Sequence, residues 1–184
     1  MALIGTDLKI ITTGSNSSTL GDMLGGNCFY GASSGTYRSL LSSTLNAVFP
    51  EVTLTQAANG QIDYFCVGVI NTNAASISDN TRVWLSADST SPDTSIQLGI
   101  GTSGIVTWST GNNTTIIEPR IASRFVTPSG VTFANYTGTI TNSLLLGTLQ
   151  PAYYRMFWIK RTVNPGAATY SGDNFTLNVA NATS

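Results

Sequence analysis

LGTLQPAYYRMFWIKRTV, Leu146–Val163, is the stretch that decides the fold. Gly147 and Pro151 bracket a short turn, and Tyr153–Thr162 then reads as one β-strand carrying the largest cluster of bulky side chains in the chain. Leu146 and Leu149 precede the turn in an L-x-x-L-x-P pattern, the kind of corner at which a sandwich passes its chain from one sheet to the other. Both leucines are therefore expected in the core, with Phe157 and Ile159 from the strand itself.

Working outward, Gln61–Thr72 (QIDYFCVGVINT) is the second strong strand. Ile62, Tyr64, Cys66 and Ile70 share one face and are expected in the core, yet Phe65, Val67 and Val69 make the other face apolar too. An antiparallel strand with one face in water would show polar residues there. Two double-sided strands suggest that a neighbouring subunit covers some outer surface, with Phe65, Val67, Val69, Tyr154, Met156 and Trp158 as candidate interface residues. Cover by the chain's own middle segment is the alternative.

Alternation marks further strands at Asp7–Thr12, Thr81–Ser86, Thr94–Gly101 and Phe175–Val179, which adds Leu8, Ile10, Val83, Leu85, Ile96, Leu98, Phe175 and Leu177 to the expected core. Leu20–Gly35, with five glycines, reads as an irregular arm, and Tyr37–Phe49, stopped by Pro50, as a short helix. Between Thr102 and Asn142 only short β-prone fragments remain (Ile105–Trp108, Thr115–Glu118, Val131–Ala134), so this region is a meander or a long excursion. The expectation is an all-β chain, an immunoglobulin-like or jelly-roll-like antiparallel β-sandwich over 51–184, preceded by an N-terminal strand, arm and at most one short helix over 1–50.

Of the 184 residues, 63 are Ser, Thr or Asn, 17 are charged and none is His, so the chain is polar through hydroxyls and amides. A net charge of −1 without a basic cluster supplies almost no counterion-release energy, which argues against nucleic acid as a partner. The N-terminal MALIGTDLKIITT carries Asp7 and Lys9 where a signal peptide would be apolar, and no run approaches a membrane span, so neither secretion nor a membrane is expected. Cys28 and Cys66 show no metal or redox spacing. Cys66 reads as a buried small hydrophobe, while the state of Cys28 and a Cys28–Cys66 bridge stay open.

The absence of histidine removes Ser-His-Asp and Cys-His catalysis. The nearest carboxylate pairs, Asp88 with Asp93 and Asp79 with Asp88, lie in turn sequence, where capping their own backbone outweighs glycosidase or calcium roles. GTSG and SGDN lack a phosphate cradle's lysine and strand-to-helix setting. No catalytic, cofactor or metal residue is assigned, and the aromatic groups of Tyr153–Trp158 fit packing better than base or sugar stacking.

The ordered succession F-P-x-V-T, A-N-G-x-x-D-Y-x-C (as A-N-G-Q-I-D-Y-F-C), S-P-D-T-x-I-x-L-G and W-I-K-R-T-V-N-P-G-A resembles a family of tailed-phage virion structural proteins, over nearly the whole chain. Phe65 departs from the polar or basic residue expected there, and Thr102–Arg124 matches least. The resemblance implies a non-enzymatic β-sandwich, assembled on the virion in the host cytoplasm. Its partners would be the major capsid protein or other virion proteins, and it would act as a homo-oligomer, a trimer among the arrangements. A capsid decoration (cement) protein is the leading expectation. A tail, baseplate or fibre component comes next, then a carbohydrate-binding module, and an enzyme last.

Overall fold

In the computed structural model, residues 7–12, 23–25, 49–107, 118–168 and 173–181 are described. The arm at Leu20–Gly35 apart from 23–25, the helix expected over Tyr37–Phe49 apart from Phe49 itself, Cys28, and the fragment Thr115–Glu118 apart from Glu118 lie outside them. Among the described residues, nine strands form two antiparallel sheets: β1 (Leu8–Thr12), β2 (Gln61–Asn71), β3 (Ser78–Ala87), β4 (Thr94–Ile100), β5 (Val106–Thr107), β6 (Phe133–Ala134), β7 (Leu144–Leu149), β8 (Tyr153–Val163) and β9 (Thr176–Asn181). The larger sheet runs β1-β2-β8-β4-β6, with β5 also beside β8, and the smaller runs β7-β3-β9.

β8 is the axis of this arrangement. One edge pairs with β2 from Gln61↔Val163 to Ile70↔Tyr154, and the other pairs first with β4 (Thr94↔Val163 to Ile100↔Phe157), then with β5 (Val106↔Tyr154). Both of its faces are packed as well, one against the smaller sheet and one under residues of the middle segment, which is why its sequence is apolar without alternation. β1, from the segment read as preceding the sandwich, pairs with the far half of β2 and forms one edge of the larger sheet.

The corner before β8 behaves as its sequence indicates. β7 belongs to the smaller sheet and β8 to the larger, and Leu146 and Leu149 are fully buried. The turn between them puts Ala152 at φ +63°, and its N–H donates to the carbonyl of Asn71 while the Asn71 side chain donates to the carbonyl of Leu149. The end of β2 thus fixes the corner that launches β8.

Register determines which apolar face goes where. Phe65 lies opposite Ile159, and Val67 opposite Phe157, so these four side chains share one face with Val69 and Leu98 and meet Val83, Leu85, Leu144, Leu146 and Leu149 of the smaller sheet. Phe175 and Leu177 are partly buried against this inter-sheet core, as is Ile10, whereas Leu8 and Ile96 are fully part of it. The opposite face of the larger sheet carries Ile11, Tyr64, Cys66, Ile70, Tyr154, Met156 and Trp158, which form a second core. Its cover is Ile121, Val131 and Phe133 of the excursion, with Leu24 and Val106.

These placements correct three expectations. Tyr64, Cys66 and Ile70 are buried as expected, but under the excursion rather than between the sheets. Phe65, Val67 and Val69 fill the inter-sheet core, and Tyr154, Met156 and Trp158 lie beneath the excursion; all six candidate interface residues are at most 6% exposed, so the chain itself covers them and they offer no surface to a neighbour. Ile62, expected in the core, is 42% exposed. It precedes Tyr64, whose N–H donates to the carbonyl of Arg124, and lies at the end of the strand where the cover stops.

The single described helix, α1 (Leu54–Asn59), stands where no helix is expected. It buries none of its own residues and rests on a capping box, in which Thr53 Oγ1 accepts from the Gln56 N–H and Gln56 Oε1 accepts from the Thr53 N–H. Gly166 and Ala167 donate to its carbonyls at Ala57 and Ala58, which tie it to the turn after β8.

The contrast between two leucine-sized positions is testable by chemical denaturation. Leu146→Ala, at 0% exposure in the inter-sheet core, is expected to cost about 2–5 kcal/mol. Ile62→Ala, at the uncovered strand end, is expected to stay within about 1 kcal/mol.

Candidate functional site

The chemistry-bearing side chains gather at two polar joints in the second core and at one end of the first. Glu118 belongs to the middle segment read as the excursion, and it is 1% exposed. Its Oε1 accepts the indole N–H of Trp158 at 2.7 Å and the Thr102 N–H at 3.1 Å, while Oε2 accepts the Ser103 N–H at 2.9 Å. One carboxylate therefore joins the excursion to β8 and to the bend between β4 and β5. Gly101 makes this close approach possible, because a Cβ there would meet Glu118 Oε2 at 2.6 Å. Gly99 does the same one turn of strand earlier: a Cβ would stand 2.6 Å from Val131 Cγ1, so the excursion lies directly on the β4 backbone.

Asp63 is fully buried near the start of β2, opposite Arg161 of β8. Arg161 donates from Nε (3.0 Å) and Nη2 (2.6 Å) to Asp63 Oδ2 and from Nη1 to the Pro50 carbonyl (3.0 Å), with its guanidinium 4.7 Å over the Phe49 ring. Arg124 completes the joint from the excursion, its Nε 3.1 Å from Asp63 Oδ1. Two guanidinium groups thus hold one carboxylate, and the geometry matches a structural ion cluster that binds three chain segments together. Farther along β8, burial pulls the Arg155 guanidinium below its usual pKa and the charge of Glu118 offsets part of that shift. Arginine starts so far above neutrality that Arg155 stays protonated, donating to the Leu146 carbonyl at 3.4 Å.

The turn carboxylates also serve the backbone. Asp88 accepts from the N–H groups of Ser89 and Ile96, Asp93 from that of Ala168, and Asp173 from the Ser91 N–H and the Ser89 hydroxyl. Asp7 accepts from the Asn73 amide. Asp79 and Glu51 are exposed. The two carboxylates with the most elaborate surroundings, Asp63 and Glu118, are the ones the sequence reading did not single out. An acid inside an otherwise apolar strand was the available signal for Asp63.

Among the described residues, no group of three or more His, Cys, Asp or Glu could hold a metal ion, and no helix is long and apolar enough to cross a membrane. A shallow cleft of about 220 Å³ runs along the excursion between Pro119–Ala122 and Val126–Ser129. That is below the roughly 300–1,000 Å³ of sites that engulf a small ligand. Beside it Phe125 (51%) and Val126 (45%) are exposed, and the Arg124 guanidinium lies 4.7 Å over the Phe125 ring. Comparison with protein families, with curated proteins and with solved structures finds no match.

Both joints have measurable consequences. Glu118→Gln keeps the shape but puts an NH2 among N–H donors, so at least one buried donor loses its acceptor. The expected loss is about 1–3 kcal/mol, with tryptophan emission shifted to the red as water reaches Trp158; unchanged stability would remove the joint from the account. Asp63→Ala strands Arg161, which is 8% exposed, and should cost about 3–5 kcal/mol. The double variant Asp63→Ala/Arg161→Met should recover most of that loss in the same denaturation assay.

Proposed function

We propose that this chain is a non-enzymatic structural component of a tailed-phage virion, acting as a capsid decoration protein that binds and stabilises the shell of major capsid protein. The observation that carries the reading is how the carboxylates are used. Six of the nine acidic residues in the sequence, Asp7, Asp63, Asp88, Asp93, Glu118 and Asp173, accept hydrogen bonds or ion pairs from their own chain. Groups committed to holding the scaffold suit a protein whose task is to keep its shape. The order of motifs from F-P-x-V-T to W-I-K-R-T-V-N-P-G-A supplies the virion assignment.

The sandwich is read as immunoglobulin-like or jelly-roll-like on the corner at Leu146–Pro151, and the protein as a homo-oligomer. Its mechanism is repetition: a surface of amides, hydroxyls and a few apolar side chains makes modest contacts on a symmetric shell. Oligomeric copies engaging several shell sites at once convert weak contacts into durable attachment. A near-neutral chain suits such crowding, because neighbouring copies repel one another little.

Labelling decides the matter. Purified virions probed with a gold-tagged antibody to this chain should show label over the head, in copy numbers that are multiples set by the shell symmetry. Particles lacking the protein should release their genome at lower temperature. Label confined to the tail would overturn decoration, and label absent from the particle would overturn the virion reading.

A further inference from the structure

The sequence contains one Asn-Gly pair, Asn59–Gly60, and the fold presents it for chemistry. Asn59 is exposed and is the last residue of the six-residue helix α1, and Gly60 follows at φ +77°. The hydrogen bonds from Gly166 and Ala167 reach α1 at Ala57 and Ala58, upstream of this pair. Helix ends fray, and a helix this short is marginal without tertiary support. Gly60 has no side chain to screen its own peptide nitrogen, and it samples backbone conformations closed to other residues.

We infer that Asn59–Gly60 is a self-modifying site, at which the folded chain converts asparagine to aspartyl and isoaspartyl residues with water as the only co-reactant. The Gly60 peptide nitrogen, losing its proton to solvent, attacks Cγ of Asn59. A new C–N bond closes a five-membered succinimide, and the side-chain nitrogen leaves as ammonia. Water then adds to one of the two ring carbonyls and breaks one C–N bond. Opening at the side-chain carbonyl gives aspartate, and opening at the main-chain carbonyl gives isoaspartate.

The position makes the two products unequal. Both add one negative charge to a chain whose formal net charge is −1. Only isoaspartate lengthens the backbone, by one methylene, and it does so in the joint between α1 and β2. There a Cβ on Gly60 would already stand 3.0 Å from the Pro165 ring, and the next residue, Gln61, is in register with Val163. The inserted atom must be absorbed within three residues of the buried Asp63, so the isoaspartyl form is expected to unfold at a lower denaturant concentration than the aspartyl form.

The test incubates the full chain at pH 8 and 37 °C beside the free heptapeptide QAANGQI. It follows the one-dalton mass gain at position 59 by fragmentation that separates aspartate from isoaspartate. A fraying helix end costs little to open, so conversion in the folded chain is expected within about tenfold of the peptide rate, and Asn59→Gln should abolish the gain at that position. Conversion more than about a hundredfold slower than in the peptide would show that the fold protects the pair and overturns the inference. Conversion led by another asparagine would overturn it equally.

Discussion

The rest of the structure depends on how one strand is flanked on both edges and both faces. β8 is hydrogen-bonded along both edges, by β2 on one side and by β4 and β5 on the other, and packed on both faces, by the smaller sheet and by the excursion. Every other large element touches it or covers something that does. The smaller sheet closes the face bearing Phe157 and Ile159, and residues 118–133 close the face bearing Met156 and Trp158. The fold is a two-sheet sandwich with a third, mostly irregular layer, and that layer performs the covering role that in a plain sandwich would fall to solvent or a neighbour.

Attaching such a layer raises a problem of polar groups. A backbone running over an apolar sheet brings N–H and C=O groups that need partners. Here some are met by main chain, the Arg124 carbonyl by the Tyr64 N–H and the Ile121 N–H by the Leu24 carbonyl, and two buried carboxylates hold the points of attachment. Glu118 joins the incoming end of the layer to the β4–β5 bend and to the Trp158 indole, and Asp63 joins its middle to β8 through Arg124 and Arg161. A protein with only 17 charged residues among 184 positions such a layer with four of them, Asp63, Glu118, Arg124 and Arg161, which sit at joints between segments far apart in sequence. Each joint closes a connection whose closure cost rises only slowly with its length.

How much of this was legible in the sequence follows the same physics. Strands with alternation or strong β-propensity were readable, as was the Leu146–Pro151 corner, because local pattern determines them. The sorting of the two apolar faces of β2 was not. A strand apolar on both sides carries no parity signal, and only the pairing Phe65↔Ile159 and Val67↔Phe157 shows which residues face the smaller sheet. Ile62 reads as core by spacing and is exposed because the cover ends at Tyr64, a fact set by a long-range contact with Arg124. The helix at Leu54–Asn59 went unread, because it lacks the apolar face by which helices are usually recognised and rests instead on the Thr53/Gln56 capping box. Glu118 as a joint could not be read from a string, since its donors come from Thr102, Ser103 and Trp158.

The place of β8 in the chain has a consequence for synthesis. β2 leaves the ribosome with both of its faces apolar, yet its partner strand lies some ninety residues downstream, so at 5–20 residues per second it waits roughly 5–20 s before pairing is possible. β1 can bond to the far half of β2 early, but that pair leaves the other edge of β2 and both faces uncovered. The nascent chain therefore carries this apolar strand without its partner through about half of translation, and completion of the larger sheet waits until the late strand emerges.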